Sequence, residues 1–221
     1  CKDIIKTPHA RAYLSGCVFA GNEAGQQGGG LMGPVGHLVM ETCHFESNQV
    51  NVCLGSGSSG LGGGGVMLVD SNYARMTDCS FVENGTYGRG GAIHSIGTLR
   101  LVKTRFERNW AQGSMLDAGG GAIYAEPFGG DSWLDLDQCE FTDNVAGRFG
   151  GAICTQGVSD DPFLVTDCRF VRNRAAYDSC QSCLECIDCE KDRVETYCDL
   201  GGEACVSSCT RGLDGNGCDH A

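Results

Sequence analysis

Leu134-Asp135-Leu136-Asp137-Gln138-Cys139-Glu140-Phe141-Thr142-Asp143-Asn144-Val145-Ala146-Gly147-Arg148-Phe149-Gly150-Gly151-Ala152-Ile153 holds the pattern that decides the fold. It reduces to an apolar alternation, then C-x-F-x-x-N-x-A, then G-G-A-I. The Phe recurs at Phe19, Phe45, Phe81, Phe106, Phe141 and Phe170. Three residues later comes Asn22, Asn48, Asn84, Asn109, Asn144 or Asn173. Two residues before each Phe stands Cys17, Cys43, Cys79, Thr104, Cys139 or Cys168. Glycine-rich segments follow the first five copies, at residues 28–30, 62–65, 90–91, 119–121 and 150–151. Six copies in register define a repeat, and a repeat of this size implies a solenoid.

The residue types say which solenoid. Leu99-Arg100-Leu101 and Leu134-Asp135-Leu136 alternate with period two, which is strand patterning. No repeat segment sustains an apolar i, i+3, i+4 pattern long enough for a helix. By subtraction, successive Phe residues lie 26, 36, 25, 35 and 29 positions apart, with insertions at 51–60 and 112–118. A turn of about 25 residues with about three short strands is one coil of a parallel β-helix. Stacking predicts a Phe column inside the cylinder at about 4.8 Å spacing. The Asn column is expected inward at a corner, bonding the coils above and below and itself adopting the left-handed conformation. The Gly pair is expected to turn the chain tightly before each Ala-Ile strand.

G-G-A-I at 90–93, 120–123 and 150–153, with F-x-x-N at all six Phe positions, resembles the repeats of the polymorphic outer-membrane protein family of bacterial autotransporters. More broadly the pattern is similar to the right-handed, pectin-lyase-like parallel β-helix. The resemblance covers residues 15 to about 176. It implies an all-β, right-handed parallel β-helix of about six coils and a surface-exposed, adhesive role. That family carries a C-terminal membrane β-barrel, which is not read in this sequence.

Composition bounds the alternatives. The 221 residues suffice for one core, and the 35 glycines fall at repeated positions, which favours a repeat fold over disorder. No run of 18 apolar residues offers a membrane-spanning helix. No signal peptide or initiator Met is present, and the start at Cys1 suggests a processed or excised piece. The formal net charge of −12 argues against nucleic acid or an anionic membrane as partner. Residues 1–176 read as the β-helix domain and 177–221 as a cysteine-rich, irregular C-terminal segment.

Sixteen cysteines, an even number, favour an oxidising extracellular compartment and make every one a disulfide candidate. Eight precede residue 170: Cys1, Cys17, Cys43, Cys53, Cys79, Cys139, Cys154 and Cys168. Eight follow: Cys180, Cys183, Cys186, Cys189, Cys198, Cys205, Cys209 and Cys218. A coil spacing of about 4.8 Å puts vertical neighbours inside the disulfide Cα window, although Thr104 interrupts the column. The competing reading is a column of buried free thiols acting as small apolar fillers. From Cys180 onward nine acids against three bases give −6, with too little apolar content for a core, so bridges are expected to hold the segment. The C-x-x-C spacing also admits zinc or an iron–sulfur cluster, but the last interval, one residue short, and the missing Pro depart from the ferredoxin pattern. Asp214-Gly215-Asn216-Gly217-Cys218-Asp219 lacks the ligands of a calcium loop and reads as a turn. No cofactor or metal is assigned.

Asn84-Gly85-Thr86 is a glycosylation sequon whose Asn is also a corner Asn, so an inward side chain would exclude a sugar. His9, His37, His44, His94 and His220 are scattered and read as exposed polar residues. Asp117, Glu126, Asp131, Asp135 and Asp137 make an acidic stretch, with Asp160-Asp161 in the next loop. Asp135 and Asp137 share an outward face and come nearest to a catalytic pair, yet read as solvated strand residues. Galacturonan-hydrolase signatures and regular Thr-x-Thr rows are both absent. The sequence therefore points to a non-enzymatic extracellular or cell-surface protein, structural or adhesive. It would be a rigid rod or a protomer of a surface assembly or filament, with cell-surface glycans as a further partner. Open β-helix ends call for other chains or further coils. The competing class is a polysaccharide-active lyase, hydrolase or epimerase.

Overall fold

Alternating strands bury one face and expose the other, so a chain of such strands must wrap around its apolar side. The computed structural model describes residues 10–33, 36–51, 62–112, 119–126, 133–156, 163–175 and 203–206, the last four as backbone only. Among these residues every regular element is a strand. Residues 1–9, Cys53 and all of 177–221 except 203–206 lie outside the described residues, with that segment's turn and its cysteines other than Cys205.

Three sheets line the cylinder. A six-stranded Phe sheet holds Val18–Ala20, His44–Glu46, Ser80–Val82, Arg105–Glu107, Glu140–Thr142 and Arg169–Val171. A six-stranded Asn sheet holds Glu23–Ala24, Gln49–Val50, Gly85–Thr86, Trp110–Ala111, Val145–Ala146 and Arg174–Ala175. A ten-stranded long sheet carries the L-x-L and A-I segments. In coils 3 and 4 these segments fuse into Val66–Thr77 and Ile93–Val102, with a register irregularity beside Gly97. All coil-to-coil pairing is parallel, which is the expected β-helix. One antiparallel strand, Glu203–Val206, pairs with Ile153–Gln156 in the fifth turn and covers that edge.

The interior is a set of columns. Successive Phe rings lie 4.5, 4.9, 5.0, 4.7 and 4.8 Å apart by centroid, tilted by at most 8°. This spacing matches the coil repeat, so each ring stacks on the one in the next coil. In the long sheet, Leu38, Ala74, Leu99 and Leu134 form one inward row and Met40, Met76, Leu101 and Leu136 another, all buried.

The Asn column bonds as a ladder. Asn84 Oδ1 accepts from Asn48 N at 3.1 Å and from Asn48 Nδ2 at 2.9 Å. Asn84 Nδ2 donates to Phe45 O at 2.9 Å and to Asn109 Oδ1 at 3.1 Å. Asn109 and Asn144 repeat the scheme. Each carboxamide thus satisfies groups in both adjacent coils, which is why a polar side chain can be fully buried.

The left-handed corners differ from expectation. They fall on the residue before each Asn and the residue before each Cys or Thr, not on the Asn. Ser47, Glu83, Arg108, Asp143 and Arg172 form one such column, and Thr42, Asp78, Lys103, Gln138 and Asp167 the other, with φ from 50 to 55°. Non-glycine residues there cost about 1–2 kcal/mol each, so the ladder and stack must hold them. Gly90 takes φ 65° and a Cβ there would strike Ile93 O, while a Cβ on Gly91 would strike Gly121 O in the next coil. The first glycine makes the turn, and the second lets two coils approach.

Candidate functional site

Most inward polar groups are already committed. Cys43, Cys79 and Cys139 each send Sγ to the carbonyl two residues back at 3.4 Å, and Thr104 Oγ1 makes the same bond at 3.1 Å. That shared bond is how Thr fits a cysteine column. Cys17, Cys43, Cys79, Cys139 and Cys168 are thiols in the structure. Asn84 is fully buried with Nδ2 doubly bonded, so a sugar on that nitrogen has no room in the folded coil.

Any chemistry must therefore face outward. Asp135 and Asp137 do share the outward face, as the alternation predicts. Asp135 is tied to Arg100 at 3.1 Å, and Asp137 accepts from Gln138 at 3.3 Å. Neither is poised as an acid–base pair. Asp117, Asp131, Asp160, Asp161, His9 and His220 lie outside the described residues.

His94 departs from its reading as an exposed residue. It sits in the outward row Met67, His94, Tyr124, Cys154, all buried. Its Nε2 lies 3.5 Å from Glu126 Oε1, and Arg89 pairs with the same oxygen. The Arg89 guanidinium stands 4.9 Å over the Tyr124 ring, and His94 meets that ring edge-on at 5.3 Å. Burial alone would raise the Glu126 carboxyl; the His94 bond and charge, with Arg89, outweigh it and hold the group below its usual range. The cluster is a mutually neutralised knot on the outside of the sheet.

The open part of this face lies on coils 1 to 3. Strand register puts Arg11, His37 and Tyr73 in one outward row, and Tyr13, Val39, Arg75 and Arg100 in the next. Arg11, Ala12, Tyr13, His37, Val39 and Tyr73 line a shallow depression of about 460 Å³. Tyr13 is 63% exposed. Its hydroxyl donates to Glu41 at 2.7 Å, a bond that holds the phenol above its usual pKa. The His37 and Tyr73 rings lie 6.1 Å apart. Arg11 and Arg75 are exposed and make no ion pair among the described residues. A wall of flat rings edged by guanidiniums can stack on planar or ring-shaped ligands and attract negative charge.

Sequence reasoning singled out none of these residues as a site. The signal was present in the spacing. Stepping along the outward positions of the L-x-L strands by the coil length leads from Arg11 to His37 to Tyr73, and from Tyr13 to Arg75 to Arg100.

The Chlamydia polymorphic membrane protein repeat matches residues 78–96 and 138–156. Both matches begin at a left-handed corner, Asp78 or Gln138, and run through the Phe, the Asn and the glycine turn to the next long-sheet strand. No curated protein and no solved structure matches the chain. Coils 3 and 5 thus carry the Chlamydia polymorphic membrane protein repeat.

Proposed function

We propose that this chain is a non-enzymatic cell-surface protein, a rigid β-helix segment of an extracellular assembly that adheres through the outer face of coils 1 to 3. The observation that carries the reading is the division of labour across the long sheet. Inward residues are spent on stacking, while Arg11, Tyr13, His37, Tyr73 and Arg75 gather on an open outward patch. The repeat shared with a membrane protein family supports a surface setting. The ligand that fits the patch is an acidic saccharide. Pyranose faces pack on Tyr rings, carboxylates or sulfates meet Arg11 and Arg75, and ring spacing along a glycan is close to coil spacing. The chain as a whole, at −12, repels such a ligand and so confines it to this island. Further coils or a second chain would pair with the strand edges at Ala10–Ser15 and Phe163–Thr166, which have no partner on one side among the described residues.

Retention on immobilised acidic and neutral polysaccharides tests this. Binding to the acidic resin that weakens with salt and with Tyr13→Ala/Tyr73→Ala is expected; equal binding to both, or to neither, contradicts it. The enzyme reading rests on Arg89, His94 and Glu126, grouped as they are on the same sheet face. New reducing ends or unsaturated products from those polysaccharides, lost in Glu126→Gln, would favour it instead.

A further inference from the structure

We propose that Cys139 and Cys168 are a redox pair that closes into a disulfide joining the fifth and sixth coils. The two are vertical neighbours. Glu140–Thr142 and Arg169–Val171 pair in register, and Arg169 N donates to Cys139 O at 2.9 Å. In-register strands hold paired Cα atoms about 4.8 Å apart, inside the disulfide range of about 4.4–6.8 Å. The Cys168 side chain already leans toward the fifth coil, because Cys139 N–H donates to its Sγ at 3.2 Å.

Position within the column singles out this pair. Thr104 separates Cys139 from Cys79, with Arg105 N on Cys79 O and Glu140 N on Thr104 O at 3.0 Å each. Above it, Cys17, Cys43 and Cys79 are three in a row, so Cys43 has a neighbour on either side and one member must stay single. Below it, Cys139 has one cysteine neighbour in the column.

The two thiols also take different parts. Cys168 is partly exposed and Cys139 is 2% exposed. The neighbouring Cys139 side chain holds the Cys168 thiol below its usual pKa, while the Cys168 side chain, then burial, push Cys139 up. Cys168 is therefore the attacking thiolate and Cys139 the resolving group. With a small-molecule disulfide as oxidant, the Cys168 thiolate attacks one sulfur and forms a mixed disulfide. The departing thiolate takes up the proton that Cys168 released. Cys139, giving up its proton, then attacks the Cys168 sulfur and expels the second small thiol. Two protein thiols are oxidised, and one small disulfide is reduced to two thiols.

The test uses the full chain, reduced, refolded and then exposed to oxidised glutathione. Free thiols are trapped by alkylation in acid-quenched denaturant, and peptides are mapped by mass spectrometry without reduction. The expected result is a peptide joining Cys139 to Cys168, two hydrogens lighter than the separate pair. With Cys139→Ser the expected result is a glutathione adduct that persists on Cys168. Both thiols still alkylated, a lasting adduct on wild-type Cys168, or a link from either residue to another cysteine would each overturn the pairing.

Discussion

The two faces of the long sheet belong to the same strands yet follow opposite rules. Inward, one residue type is nearly repeated from coil to coil: Leu38, Ala74, Leu99, Leu134 in one row and Met40, Met76, Leu101, Leu136 in the next. Outward, the row between them runs Tyr13, Val39, Arg75, Arg100, Asp135, Leu164, changing in size and charge at almost every step. The inner columns define a coil, so the outer positions are free to differ. A β-helix separates what folds it from what it can recognise more cleanly than a globular core does, because each inward residue touches its own kind one coil away.

The sharpest break of this comparison is Asn109→Ala. It strips partners from Asn84 N, Asn84 Nδ2, Phe81 O and Asn144 Oδ1, all buried. A loss of about 4 kcal/mol in denaturant unfolding is expected, since each orphaned group costs about 1–3 kcal/mol and the terms overlap. A milder break is Phe106→Leu, which keeps apolar volume but interrupts the stack between Phe81 and Phe141. About 1–2 kcal/mol is expected by the same measurement. On the outer face, Tyr13→Ala/Tyr73→Ala should leave stability within about 0.5 kcal/mol while weakening acidic-glycan binding about tenfold, read by titration calorimetry.

The smallest effect belongs to the corner ladder, where Arg108 bonds Glu83 at 2.9 Å and Arg172 bonds Asp143 twice at 2.7 Å. The Arg172 bond holds the Asp143 carboxyl below its usual range, with desolvation opposing it and Arg172 and Arg108 charges adding to it. A carboxyl lowered in the folded state stabilises above its ordinary pKa and loses that contribution as pH falls through the lowered value. The difference in thermal midpoint between wild type and Arg172→Ala should therefore be small, salt-sensitive at neutral pH, and vanish in acid.

Much of the fold was legible because inward residues repeat by kind. Phe, Asn and the glycine pair mark each coil in the sequence, and the structure stacks them as the spacing implied. The left-handed corners were not legible. Thr42, Asp78, Lys103 and Gln138 share a backbone conformation but no chemistry, and they are held there by their neighbours. His94 was misread because its outward row is covered, and alternation reports which side of a strand a residue faces, not what lies on that side. The Arg11–Tyr13–Tyr73 patch carried a signal only once the coil length was applied to the exposed positions as well as the buried ones.

The claim beneath all of this is that the Asn and Phe columns carry the fold. Residue-resolved amide hydrogen exchange on the intact chain tests it most directly. The backbone N–H groups of Asn48, Asn84, Asn109 and Asn144, each donated to the carboxamide of the next coil, should rank among the slowest to exchange. Exchange of those four at rates typical of solvated corner residues would contradict it.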